Sequence, residues 1–257
     1  METCTEGSNP SLSARNIYTQ YYFYSLNSFI GPIPIHIWKK LTTDKKKPFT
    51  NRATQQTYPP GSIFKLILAA IAIEKNVVPS NWTVKCEGEY HFHDTIFRCW
   101  NVEGHGDINL LDALKSSCNI YFYNLMQRID FSDWYSEVIK FGFGAPTGID
   151  LPEEQEGLVP NAVYMNERYK DSGGWSKGHL LNLSIGQGEV SVTPIQIIQL
   201  INMIANEGKI YSPHFNINQD VVKIDLPYKK NVWEFLKKAM YAAVNYKGGT
   251  AYNAKID

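Results

Sequence analysis

YPPGSIFKLI, residues 58–67, puts two prolines and a glycine directly before Ser62 and an apolar run directly after it. Gly61 ends a turn, and SIFKLILAAIAIEKN is apolar on nearly every face, which predicts a buried central helix over residues 62–76 with Ser62 at its start. A serine there ordinarily caps the free amides of the first turn. Lys65, three residues on, does not fit that use: a cation sits badly against the positive end of a helix, and a capping box would carry Glu or Gln. The same spacing places both side chains on one face. A serine hydroxyl needs a base to become a nucleophile, and burial near a helix N-terminus lowers a lysine towards that role. Ser62 and Lys65 are therefore a candidate nucleophile and base.

Further along, SSCN supplies Ser117, a second hydroxyl able to relay protons, and Asn119, an amide able to bind a peptide carbonyl or to hold Lys65. A helix cap and a turn would account for the same two residues. Around these motifs the composition is globular: 257 residues, 25 Lys plus Arg against 25 Asp plus Glu, and a net charge of zero. That balance gives no reason to expect nucleic acid or an anionic membrane as partner. The longest apolar run, Leu66 to Ile73, is short of the roughly 18 residues a membrane span needs. The opening METCTEGSNPSLSARN lacks the basic start and apolar stretch of a signal peptide, so any export signal or anchor is expected outside this chain.

Residues 1–28 read as an irregular segment, and GPIPIHIW and TTDKKKPFTNRATQQ as loop and turn. Trp82 to Trp100 alternates like a short hairpin, and Asn109 is placed to cap a helix that SSCN separates from a second one. DFSDWYSEVIKFGFG suits a short amphipathic helix closed by glycine, and GAPTGIDLPEEQEGLVP a loop. Thr193 and Pro194 take the cap and first position of another helix, which Gly208 ends, and NVWEFLKKAMYAAVN is the last helix.

Taken in order, NRATQQTYPPGSIFK, SSCN, FGFGAPTGIDLPEE and LSIGQGEVSVTPIQ resemble the transpeptidase domain of class B penicillin-binding proteins, of the elongation type. The likeness runs from about Leu26 to Tyr252. It implies an α/β fold of the penicillin-binding protein and serine β-lactamase kind, here mostly the helical subdomain with an incomplete antiparallel sheet, over residues 29–257. It also implies a D,D-transpeptidase that cross-links peptidoglycan stem peptides and is acylated by β-lactams. Ser62 would be the nucleophile, Lys65 the base, Ser117 the relay to the leaving amine, and Asn119 a substrate-orienting group. The setting implied is the bacterial periplasm, with an inner-membrane anchor outside this chain, a membrane glycosyltransferase and elongation-complex proteins as partners, and no organic cofactor.

Family members carry a third motif, KTG or KSG, that this chain lacks; KGGT at Lys247 to Thr250 follows a helix and lacks the second-place hydroxyl. The beginning also reads poorly as the family's entry strands. The expectation is a fragment with an intact nucleophile-bearing half and little transpeptidase activity by itself.

Cys86, Cys99, His105 and Cys118 are spaced 13, 6 and 13 apart and make a Cys3His set suited to structural zinc. Some elongation-type members carry a metal near here, with one ligand at the middle of the second motif, which is Cys118. A Cys86–Cys99 disulfide, separately buried thiols, and His91 or His93 as other ligands remain open. Two other functions are also open: a serine β-lactamase, which shares the Ser62–Lys65 spacing, and a non-catalytic β-lactam-binding protein.

Overall fold

The computed structural model describes residues 31–218 and 223–256. The irregular segment expected over residues 1–28 lies outside them. Two units divide after Thr50. In the first, α1 (Ile35–Thr43) is a helix where loop was expected. Its start carries no side-chain cap, and Gly31, Pro32 and Pro34 before it disguise the helical spacing of Ile35, Trp38 and Leu41.

The second unit is organised around the expected buried helix. Its first turn, Gly61–Phe64, is a 3-10 turn, and the α-helix proper is α3 (Lys65–Glu74), following the short α2 (Arg52–Gln55), also expected as loop. Ile67, Leu68, Ala69, Ala70, Ile71 and Ala72 are all buried, so α3 presents no free face. It is flanked by α5 (Asn119–Met126), α6 (Phe131–Val138) and α10 (Lys230–Asn245). At its start Phe64 meets Trp134 and Phe143 with ring centroids 6.1 and 5.9 Å away. Each such side chain, removed from water, contributes about 1.5–3 kcal/mol.

Strands are few and short. β1 (Thr83–Cys86) pairs antiparallel with β4 (Gly106–Asn109), and the β2 (Glu89–Phe92) to β3 (Thr95–Arg98) hairpin lies between them in sequence. β5 (Lys209–Tyr211) and β6 (Lys223–Asp225) form a third pair. Among the described residues the strands make three separate two-stranded antiparallel ladders, small sheets beside a mostly helical chain.

Local capping follows the sequence. Asn109 Oδ1 accepts the Asp112 N–H at 2.9 Å and starts α4 (Leu110–Lys115). Thr193 and Gln196 cap α9 (Pro194–Ala205) reciprocally. Gln196 Nε2 also donates to the carbonyls of Ala145 and Glu156, both at 2.8 Å, so one capping amide fastens the 145–156 loop. Two helices not foreseen, α7 (Ala162–Tyr169) and α8 (Lys177–Ser184), start at Asn161 and Ser176. No helix among the described residues is long and apolar enough to cross a membrane.

Candidate active site

The YPPGS segment is fixed from behind by the IGQG stretch. Tyr58 and Val192 exchange two backbone hydrogen bonds at 2.8 and 2.9 Å, and the Gly61 N–H donates to the Gly186 carbonyl at 2.9 Å. Gly186 has φ +69°, and a Cβ there would lie 2.3 Å from Gly61 O, so only glycine allows the approach. The 3-10 turn that results leaves the Ser62 side chain exposed while burying Lys65.

Lys65 is 1% exposed, and its ammonium has three protons and three acceptors: the Ser117 carbonyl at 2.8 Å, the Ser117 hydroxyl at 3.0 Å and Asn119 Oδ1 at 2.7 Å. Ser117 Oγ lies 2.8 Å from Ser62 Oγ. The hydrogen-bonded line therefore runs Lys65, Ser117, Ser62. Burial lowers Lys65 to about 8, with the charges of Cys118 and Cys99 opposing the drop. About a tenth of the molecules then carry a neutral amine at pH 7, against almost none for a solvated lysine. The face of Phe122, 5.6 Å from the ammonium, completes its surroundings.

SSCN sits between α4 and α5, where Ser117 adopts a left-handed φ of 54° and Cys118 takes the cap position of α5. Asn119 is used at both ends: Oδ1 binds Lys65, and Nδ2 donates to the Arg98 carbonyl at 3.2 Å. All four residues singled out as catalytic are thus in one place. The KGGT turn contributes differently, through its backbone: the Thr250 N–H donates to the Lys115 carbonyl at 3.1 Å.

Cys86, Cys99, His105 and Cys118 also converge, with one donor atom from each lying within 4.8 Å of the others. β1 ends at Cys86 opposite Gly106, the Cys99 N–H donates to Gly88 O at 2.8 Å, and the His105 N–H to Cys86 O at 3.0 Å. His105 Nδ1 faces Cys86 Sγ at 3.4 Å and Cys99 Sγ at 3.5 Å. The three cysteines are buried free thiols, so the Cys86–Cys99 disulfide is not formed. A hydrogen bond from Cys118 lowers Cys99, and sharing that proton, together with burial, raises Cys118.

Tetrahedral zinc with sulfur ligands at roughly 2.3 Å holds them roughly 3.8 Å apart, so three thiols and one imidazole nitrogen at these separations fit the metal. The fit is less complete at His105 Nε2, which is buried without a hydrogen-bond partner, where a ligating imidazole usually donates its second N–H. His91, in β2, and His93, in the turn after it, are exposed and outside the cluster. Cys4 lies outside the described residues.

The Arg98 carbonyl and the Gly186 backbone carry parts of this site that no side-chain pattern announces. The sequence offered Gly186 only as a letter in IGQG, and Arg98 not at all.

The family model for the penicillin-binding protein transpeptidase domain matches residues 15–257. The chain is 32% identical to the peptidoglycan D,D-transpeptidase MrdA of Haemophilus influenzae over 91% of its length, and 30% identical to that of Escherichia coli K12 over 89%. It spans 38% of the length of each. Among solved structures, penicillin-binding protein 2 of Helicobacter pylori superposes with a TM-score of 0.81 at 34% identity, covering 91% of this chain and 44% of that one.

Proposed function

The chain belongs to the penicillin-binding protein transpeptidase domain family, and from that membership we propose that it carries the acyl-transfer centre of a peptidoglycan D,D-transpeptidase of the elongation type. The observation that carries the reading is the line from buried Lys65 through Ser117 to exposed Ser62.

In this reading Ser62 Oγ attacks the carbonyl of the penultimate D-alanine of a stem peptide, and its proton passes by way of Ser117 to neutral Lys65. Backbone amides, that of Ser62 among them, receive the developing oxyanion. Ser117 then delivers the proton to the departing D-alanine amine, leaving an ester on Ser62. An amine from a second stem peptide attacks that ester and closes the cross-link. Asn119 Oδ1 holds Lys65 while Nδ2 spends one of its two N–H groups on the Arg98 carbonyl, which leaves the other to orient a substrate carbonyl.

The Cys86, Cys99, His105 and Cys118 set supports structural zinc, which would hold the strand ends to the SSCN loop. Cys118 stands between Ser117 and Asn119 in sequence, so ligation there restrains both. The Helicobacter pylori relative has been solved in complex with MreC, and another similar structure, 27% identical with a TM-score of 0.73, belongs to a peptidoglycan synthase complex that couples polymerisation to cross-linking. We accordingly propose elongation-complex proteins and a glycosyltransferase as partners, stem peptides and β-lactams as ligands, and the periplasmic side of the bacterial inner membrane as the setting.

The test is labelling with a fluorescent penicillin. A single long-lived adduct on the peptide containing Ser62, absent from Ser62→Ala, is the expected result. Undiminished labelling of Ser62→Ala refutes the assignment, and rapid penicillin turnover would make the chain a β-lactamase instead.

A further inference from the structure

Three successive carbonyls at the end of α4 are each taken by a different part of the chain. Lys115 O accepts from the Thr250 N–H at 3.1 Å, Ser116 O from the Trp100 indole N–H at 2.9 Å, and Ser117 O from the Lys65 ammonium at 2.8 Å. Lys115 ends α4 and Ser116 and Ser117 follow it in the loop, and each of their carbonyls is satisfied from outside the helix. One donor is backbone and one is the candidate base. Trp100 has no part in the acyl transfer described above.

Trp100 is 59% exposed, so burial does not account for where its ring lies. Its ring meets His105 edge-on, with centroids 5.4 Å apart, and its one polar atom is spent on Ser116 O. That bond bears on the peptide joining Ser116 to Ser117. Turning this peptide over would swing the Ser116 carbonyl away from the indole and carry Ser117 out of its φ of 54°. It would also break the Ser117 N–H bond to Leu114 O, now 3.2 Å. A serine held in the left-handed region is a strained conformation that persists only where its neighbours fix it. The Ser117 side chain owes its place between Lys65 and Ser62 to that conformation.

We infer that Trp100 is a positioning residue for acyl transfer at Ser62: its indole N–H locks the Ser116–Ser117 peptide and thereby keeps the Ser117 hydroxyl between nucleophile and base. The inference rests on Ser62 being the nucleophile, and it places the residues on both sides of Cys99 on the SSCN loop, Arg98 through Asn119 and Trp100 through Ser116. A positioning role of this kind alters the acylation step rather than the initial binding of the ligand.

Trp100→Phe keeps an aromatic ring at the position and removes the N–H donor, with a smaller loss of ring area at a largely exposed site. The expected result is an acylation rate constant with penicillin about tenfold lower, with the dissociation constant of the preceding complex unchanged. Amide hydrogen exchange of residues 114–119 should quicken by a similar factor, with the melting temperature and metal content as in the unsubstituted protein. An acylation constant or an exchange rate matching the unsubstituted protein overturns the inference. If the unsubstituted protein is not acylated at all, the reading of Ser62 fails, and exchange alone still decides whether Trp100 locks the loop.

Discussion

The Lys65 ammonium is bound by both oxygens of Ser117, the carbonyl at 2.8 Å and the hydroxyl at 3.0 Å. Removing the hydroxyl alone leaves Lys65 with the Ser117 carbonyl and Asn119, so the fold should tolerate Ser117→Ala. The line to Ser62 is cut, and acylation by a fluorescent penicillin should slow by about a hundredfold or more. Stopped-flow labelling of the variant measures this, and a rate within a factor of two of the parent would remove Ser117 from the relay.

The pH dependence follows from Lys65. Burial lowers it to about 8, and the neutral amine is the form that accepts a proton, so the acylation constant should rise tenfold per pH unit below 8 and level off above it. Stability follows the same group with a definite sign. Between about 8 and the unfolded value near 10.5 the folded chain holds fewer protons than the unfolded one, so this residue's contribution rises with pH across that window. Denaturant titrations at two pH values, compared with Lys65→Met, isolate the increment, which the variant should lack.

One zinc per chain is expected, measured by metal analysis of protein purified without chelator. Three thiols should become reactive to a disulfide reagent only after chelation, and the melting temperature should fall on metal removal because the site holds β1, the β2–β3 hairpin and the SSCN loop together. Metal-free protein with unchanged melting would dismiss a structural metal.

Gly186→Ala tests the backing of the nucleophile turn. Its Cβ would meet Gly61 O at 2.3 Å, Gly61 N at 2.7 Å and Phe64 Cβ at 2.8 Å, at a φ of +69°. The expected cost is about 2–4 kcal/mol from overpacking and strain together. Labelling of Ser62 should weaken along with stability in chemical denaturation.

Glu137 is 2% exposed and bound by Lys75 at 2.7 Å, Lys140 at 2.8 Å and the Tyr228 hydroxyl at 2.5 Å. Burial alone would raise its carboxyl, but the hydrogen bonds from Lys140, Lys75 and Tyr228 outweigh it and bring it down to about 2. Its stabilisation is complete above the unfolded value near 4.5 and is lost as pH falls towards 2. Glu137→Gln should cost about 2–3 kcal/mol at pH 7, below the figure for a fully buried pair because both lysines are half in solvent. The difference between parent and variant should shrink when unfolding is repeated at pH 3.

Where a structural rule is local, the chain could be read directly. Asn109, Thr193 and Pro194 announce their helix starts because capping satisfies amides within three residues. α1 and α2 went unseen for the converse reason: the first follows prolines with no side-chain cap, and the second is four residues long. α7 and α8 are no shorter than α6, which is legible, but their apolar residues do not make the clear one-sided stripe that α6 shows.

By itself the sequence determined the parts of the site: a serine and a lysine one helical turn apart, a second serine and an amide in SSCN, and four soft ligands around them. These are visible because side-chain chemistry and short spacing are written residue by residue. Only the tertiary structure decided how they connect. It gave Lys65 both oxygens of Ser117, set the route to Ser62 through that hydroxyl, gave each end of Asn119 a partner, and brought Trp100 to the Ser116 carbonyl. The reason is physical: most of those bonds are made to backbone carbonyls or across more than fifty residues of chain, and neither a carbonyl nor a fold-dependent distance leaves a mark in the order of side chains.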